Sequence, residues 1–168
     1  GEALFWLGVL NILAPSFGIA VNNTRLLLHG RDSASNKDFL LVLGIFSGAS
    51  AIITACVAFI RGAALPGILP VIYIIMAAIF RNYSSVEYRL SLNYKKQFLF
   101  YAILSAGYVA GTGLFLLSGA WAWPYVIGET GAVLFVAFSG RIYKDLGRYS
   151  SKQKPILKNS VTLSGNYL

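Results

Sequence analysis

Glu129 is the only acidic side chain inside a long apolar stretch of this 168-residue chain. A charge at membrane depth is costly, so such a residue is a candidate by default for coupling to a proton or ion gradient. Its depth is open on the sequence. If Pro124 starts the helix, Glu129 stands in the second turn near an interface, where a carboxylate is cheap and idle. Arg25 and Arg81 each close an apolar stretch, one step inside the loop proper. A guanidinium gives bidentate hydrogen bonds to phosphate, so both are candidates to hold a phosphorylated lipid at the mouth of a cavity. The plainer reading of each is a topology anchor that snorkels to headgroups. Asn11 and Asn23 are candidates to line a polar path, and Asn11 serves equally well as an interhelical hydrogen bond.

Other chemistry is missing from the sequence. The one histidine, His29, cannot build a His and Cys zinc site, and there is no Walker-type phosphate loop and no Ser, His and Asp set. No metal and no cofactor is therefore expected. His29 as the base of a membrane acyltransferase would want an acid at HxxxxD spacing, and Asp32 follows too closely. Cys56 has no second cysteine with which to form an internal disulfide.

Five apolar segments must position these residues: roughly 3–21, 39–60, 63–80, 98–117 and 121–139. Each holds about 18 to 22 residues, which at about 1.5 Å of rise crosses the roughly 30 Å hydrocarbon core of a bilayer. Composition agrees, with 57% hydrophobic and 12% charged residues and a mean hydropathy of +0.66, against a soluble average of about 25% charged. The expected fold is all-α, an integral membrane bundle with five transmembrane helices over 1–143 and a basic cytoplasmic tail or linker over 144–168. The net charge of +8 is spread through short loops, so it reads as topology and lipid-headgroup contact and not as a nucleic-acid face.

Basic residues set the orientation. The successive gaps hold Arg25, Arg31 and Lys37; then Arg61; then Arg81, Arg89, Lys95 and Lys96; then none. Arg141, Lys144, Arg148, Lys152, Lys154 and Lys158 follow the fifth segment. Lys and Arg mark the cytoplasmic side, which puts the heavy gaps and the tail inside and Gly1 outside. Trp6, Trp121 and Trp123 then fall at outer ends, with Tyr83, Tyr88, Tyr94, Tyr143 and Tyr149 near inner ends, as two interfacial belts. The glycosylation acceptor patterns at Asn22 and Asn82 lie inside and are discounted. With Met76 as the only methionine, an outside start reads as a piece of a longer protein with one preceding helix. The mildly apolar Val161 to Leu168 reads as the beginning of a further span.

Gly44 and Gly48, extended by Ala51 and Ala55, form a small-residue stripe, and Gly107 with Gly111 repeats it. Both are expected at close helix–helix contacts. Pro15, Pro66 and Pro70 are expected to bend the first and third spans, and bent spans are common in transporters.

The layout resembles the N-terminal half of polysaccharide flippases, the Wzx-like exporters of the multidrug/oligosaccharidyl-lipid/polysaccharide superfamily. The resemblance rests on Gly18-Ile19-Ala20-Val21-Asn22-Asn23-Thr24-Arg25, Phe80-Arg81-Asn82-Tyr83 running through Tyr88-Arg89-Leu90, the basic entry from Tyr94 to Leu117, and Trp123-Pro124-Tyr125-Val126-Ile127-Gly128-Glu129. It implies helices two to six of a bundle of twelve to fourteen. The implied protein lies in the bacterial inner membrane and moves a lipid-linked, pyrophosphate-bearing oligosaccharide outward for capsule, O-antigen or exopolysaccharide biosynthesis, alongside other assembly proteins. It would not be an enzyme. On that resemblance Arg25 and Arg81 would neutralise the pyrophosphate and Glu129 would couple export to an ion gradient. Two other classes stay open: a membrane enzyme of glycan or lipid assembly, such as a polymerase or acyltransferase, for which the outer gaps are short, and a non-transporting assembly subunit.

Overall fold

The computed structural model describes residues 1–28, 35–139 and 153–165, and these are helical throughout apart from short connections. The first helix runs from Glu2 to Leu28 in three parts: α1 (Glu2–Ala14), a π-helical turn (Pro15–Ile19) and α2 (Ala20–Leu28). Then follow α3 (Asn36–Ile60), α4 (Leu65–Leu90), α5 (Tyr94–Ser118), α6 (Trp123–Ser139) and α7 (Gln153–Ser164). The first helix, α3, α4 and α5 are long and apolar enough to cross a membrane. At 17 residues α6 is shorter, about 26 Å of axial rise. The molecule is a helical membrane bundle.

Local sequence sets most of the helix ends. At the start of α3, Ser35 and Asp38 form a reciprocal capping box: the Ser35 amide donates to Asp38 Oδ2 at 3.0 Å and the Asp38 amide to Ser35 Oγ at 3.4 Å. Asn93 caps α5 by accepting the Lys96 amide at 3.1 Å. That helix stops at Gly119, whose φ of 72° places it in the left-handed region where a side chain would be strained. Pro66 falls in the first turn of α4, where the missing amide costs nothing, so only Pro70 lies inside that helix. The bend expected at Pro66 therefore has no broken hydrogen bond to cause it. At Pro15 the first helix widens into the π-turn, and Ser16 Oγ donates to the Ile12 carbonyl at 2.6 Å.

The helix α4 is the hub, packing against α1, the π-turn, α2, α3, α5 and α6. Its Ile68, Val71, Ile75, Ala78 and Ile79 join one buried cluster with Trp6, Leu13, Val21, Val42 and Phe46. The third segment was expected to end near Phe80, yet α4 continues to Leu90 with Tyr83, Ser84, Ser85, Val86, Glu87 and Tyr88 all buried. Polar residues stay helical here because Ser84 and Ser85 donate back to α4 carbonyls while Tyr83, Glu87 and Tyr88 find partners on neighbouring helices. Tyr83 and Tyr88, expected in an interfacial belt, are thereby drawn into the bundle, as is Trp6. Residues 153–164, expected within a basic tail, form α7, which lies against α2 and α3.

The two small-residue stripes part company. Gly107 and Gly111 seat α5 on α6 so closely that an added Cβ would come within 2.6 Å of the Gly128 Cα and 2.5 Å of the Pro124 Cα. Gly44 and Gly48 instead are exposed, with open space where a side chain would go. That α3 face does not make the tight contact expected of it among the described residues.

Candidate functional site

Two Arg–Glu–Tyr groups are built on the same helix, α4. The first joins α2 to α4. Arg25 Nη2 donates to Glu87 Oε2 at 2.9 Å and Nη1 donates to the Tyr83 hydroxyl at 3.1 Å. The guanidinium carbon lies 5.6 Å from the Tyr83 ring centre and 5.9 Å from that of Phe39, within cation–π range. Only 10% of the Arg25 side chain is exposed. Arg25 is thus neither a headgroup anchor nor an open seat for a ligand in this conformation. Its charge is already spent on Glu87, three residues from the end of α4.

The second group joins α4, α5 and α6. Arg81 Nε donates to both oxygens of Glu129, at 3.0 and 2.9 Å, and the Tyr108 hydroxyl donates to Glu129 Oε1 at 3.0 Å. Register explains the meeting. Arg81 stands nine residues before the end of α4 and Glu129 ten before the end of α6, about 14 and 15 Å of rise. Those ends are level, since the Tyr88 hydroxyl is 3.0 Å from Ser139 Oγ and Lys96 Nζ donates to the Ser139 carbonyl at 2.7 Å. Close seating of α5 on α6 at Gly107 and Gly128 brings Tyr108 to the same level.

The two arginines differ in what they leave free. Glu129 grips Arg81 through Nε alone, and among the described residues no hydrogen bond engages Nη1 or Nη2. The Arg81 side chain is 23% exposed whereas that of Glu129 is 1% exposed. The open end of the guanidinium is the fork that binds phosphate or carboxylate in bidentate fashion. Glu129 does stand in the second turn of α6, which starts at Trp123. It is a buried carboxylate paired with Arg81 and Tyr108, not one exposed at the bundle surface. Breaking a buried pair by removing one partner typically costs about 3–5 kcal/mol, because the other charge is stranded.

The asparagines fare differently. Asn11 is exposed on α1, and no hydrogen bond among the described residues joins it to either arginine. Asn23 is half-buried on α2. The residue that crosses to α4 is its neighbour Asn22, whose Nδ2 donates to the Asn82 carbonyl at 2.8 Å and to Ser85 Oγ at 3.0 Å. His29 and Asp32 lie outside the described residues. Among those described, no three His, Cys, Asp or Glu side chains gather to hold a metal ion.

Glu87, Tyr83, Tyr108 and Asn22 had not been singled out as site residues. Glu87 lies past the apolar run and reads as a loop residue. Tyr108 carried one usable signal: a phenol in mid-span needs a hydrogen-bond partner. Comparison with protein-family models, with characterised proteins and with solved structures gives no match to this chain.

Proposed function

We propose that this chain forms part of a membrane transporter that carries a lipid-linked, pyrophosphate-bearing oligosaccharide across the bacterial inner membrane, in the manner of Wzx-like flippases, with the basic end of the bundle facing the cytoplasm. The observation that carries the reading is Arg81. A cation about 14 Å from the end of its helix is oriented by Glu129 and Tyr108, and its Nη fork is left open. A transporter that must bind and release an anion needs a charge that is fixed in place but not fully neutralised by its own protein. Arg25, closed on three sides, is not such a seat in this state.

The test is glycan export by the complete protein. Arg81→Lys keeps the charge and loses the fork, so export should fall well below the parent at equal protein level. Because Arg81→Ala alone strands Glu129, the informative removal is Arg81→Ala with Glu129→Gln, which should abolish export. Parental export by that double variant would refute the reading. Unchanged membrane insertion with loss of a glycan-modifying activity would favour the enzyme class.

A further inference from the structure

We infer that α2 is a hinged gate at the basic end of the bundle, with the π-turn at Pro15–Ile19 as its hinge and the Arg25–Glu87 pair as its latch. Above the turn, α1 lies on α4 through an apolar seam that includes Trp6, Leu13 and Ala14. Among the described residues no side-chain hydrogen bond crosses that seam, so it is held by packing alone. Below the turn the character changes. The described hydrogen bonds between α2 and α4 are polar crossings from Asn22 and Arg25 to the stretch from Asn82 to Glu87. Ala20 and Val21 are buried beside these crossings, so the seam is mixed, and its polar groups exchange protein partners for water at the basic end when it opens.

Three further observations place the hinge and give the gate a reason to move. The π-turn is the one break in regular α-helix between Glu2 and Leu28. Turns of this kind concentrate bending because they interrupt the regular ladder. Gly18, inside the turn, rests its backbone on α4 so tightly that an added Cβ would lie 2.5 Å from the Ile79 carbonyl oxygen. The turn therefore bears on a fixed point. Below it, Asn22 is 3% exposed and its Oδ1 has no hydrogen-bond partner among the described residues. An unsatisfied buried acceptor burdens the closed state, and swinging α2 out would let it meet water. On its far side α2 packs against α7, where Ile156 is buried and the hydroxyls of Thr24 and Ser160 lie 3.0 Å apart. Thr24 also donates to its own helix at the Ala20 carbonyl, so this neutral tie can be released without orphaning it.

The gate serves the proposed transport by opening the basic end, but its motion can be measured without any transport. Spin labels at the exposed Leu27 and Arg89, in a Cys56→Ala background of the complete protein in nanodiscs, report the α2–α4 separation. Glu87→Gln should add a longer-distance population. It should also speed maleimide modification of a single cysteine at Ser85 by about tenfold or more, equivalent to ~1.4 kcal/mol of latch energy. A cysteine replacing Ala132, buried on α6, should react no faster. An unchanged distance distribution in Glu87→Gln would overturn the gate whether or not the protein exports glycan. Equal acceleration at the Ala132 position would also overturn it, since that would mean general loosening. A moving α2 in a protein without export would leave the gate standing and remove the flippase reading.

Discussion

Replacing Glu129 separates two tasks that one carboxylate performs: neutralising Arg81 and, on the transport reading, exchanging protons or ions with a gradient. Glu129→Ala should destabilise the protein by about 3–5 kcal/mol in detergent unfolding, because Arg81 is left charged without its partner. Adding Arg81→Met should recover most of that loss, and strictly additive losses would show that the pair is not coupled. Glu129→Gln retains size and an acceptor for Arg81 Nε but removes the charge and the titration. Gradient-driven export by the complete Glu129→Gln protein should be abolished, and parental export would dismiss the coupling role. Tyr108→Phe deletes one hydrogen bond to Glu129 Oε1 and should cost about 1 kcal/mol or somewhat more, as a bond to a charged group. These residues show where the sequence was readable. Glu129 stood out because charges at depth are rare, and Arg81 because it closes an apolar stretch with a group that can bind phosphate in bidentate fashion. Glu87 did not, because it lies beyond the apolar run that defines depth.

At the scale of elements, the same Gly-xxx-Gly spacing has opposite consequences on two helices. Gly111→Ala would drive a methyl group into the backbone at Trp123 and Pro124, which cannot give way as a flexible side chain can. It should lower the melting temperature, separate α5 from α6 and disturb the Tyr108–Glu129 contact. Gly48→Ala meets open space. In a helix interior it should be neutral or stabilising by about 0.5–1 kcal/mol. Equal losses from both variants would contradict the exposed placement of the α3 stripe. Spacing alone predicts closeness for both, and only the partner distinguishes them. Pro66 and Pro70 teach the same lesson, since about one helical turn decides which proline is a first-turn residue and which interrupts a helix.

At the scale of the whole molecule, the alternation of basic gaps yields an orientation that single cysteines can check. In a Cys56→Ala background, cysteines at the exposed Gly62 and Gly119 should react with an impermeant thiol reagent in intact cells, and one at the exposed Ser91 should not. Labelling of Ser91 from outside would invert the bundle and place the Arg25–Glu87 latch at the opposite face. The architecture makes the consequence sharp. Both ionic groups hang on α4, with their acidic members Glu87 and Glu129 on different helices, so the orientation of this one helix sets which group lies nearer the cytoplasm.

The sequence by itself determined the class: helices long and apolar enough to cross a bilayer, separated by short polar connections. It did so because length and hydropathy are local, summed properties of a segment and need no knowledge of neighbours. It also marked Arg25, Arg81 and Glu129 as residues to explain. Only the tertiary structure decided what those charges face. The Arg25–Glu87 and Arg81–Glu129 pairs join residues 62 and 48 positions apart, and nothing in either segment encodes the other's register. Helix ends, a π-turn and close glycine contacts set that register. They close one arginine into the bundle and leave the fork of the other open.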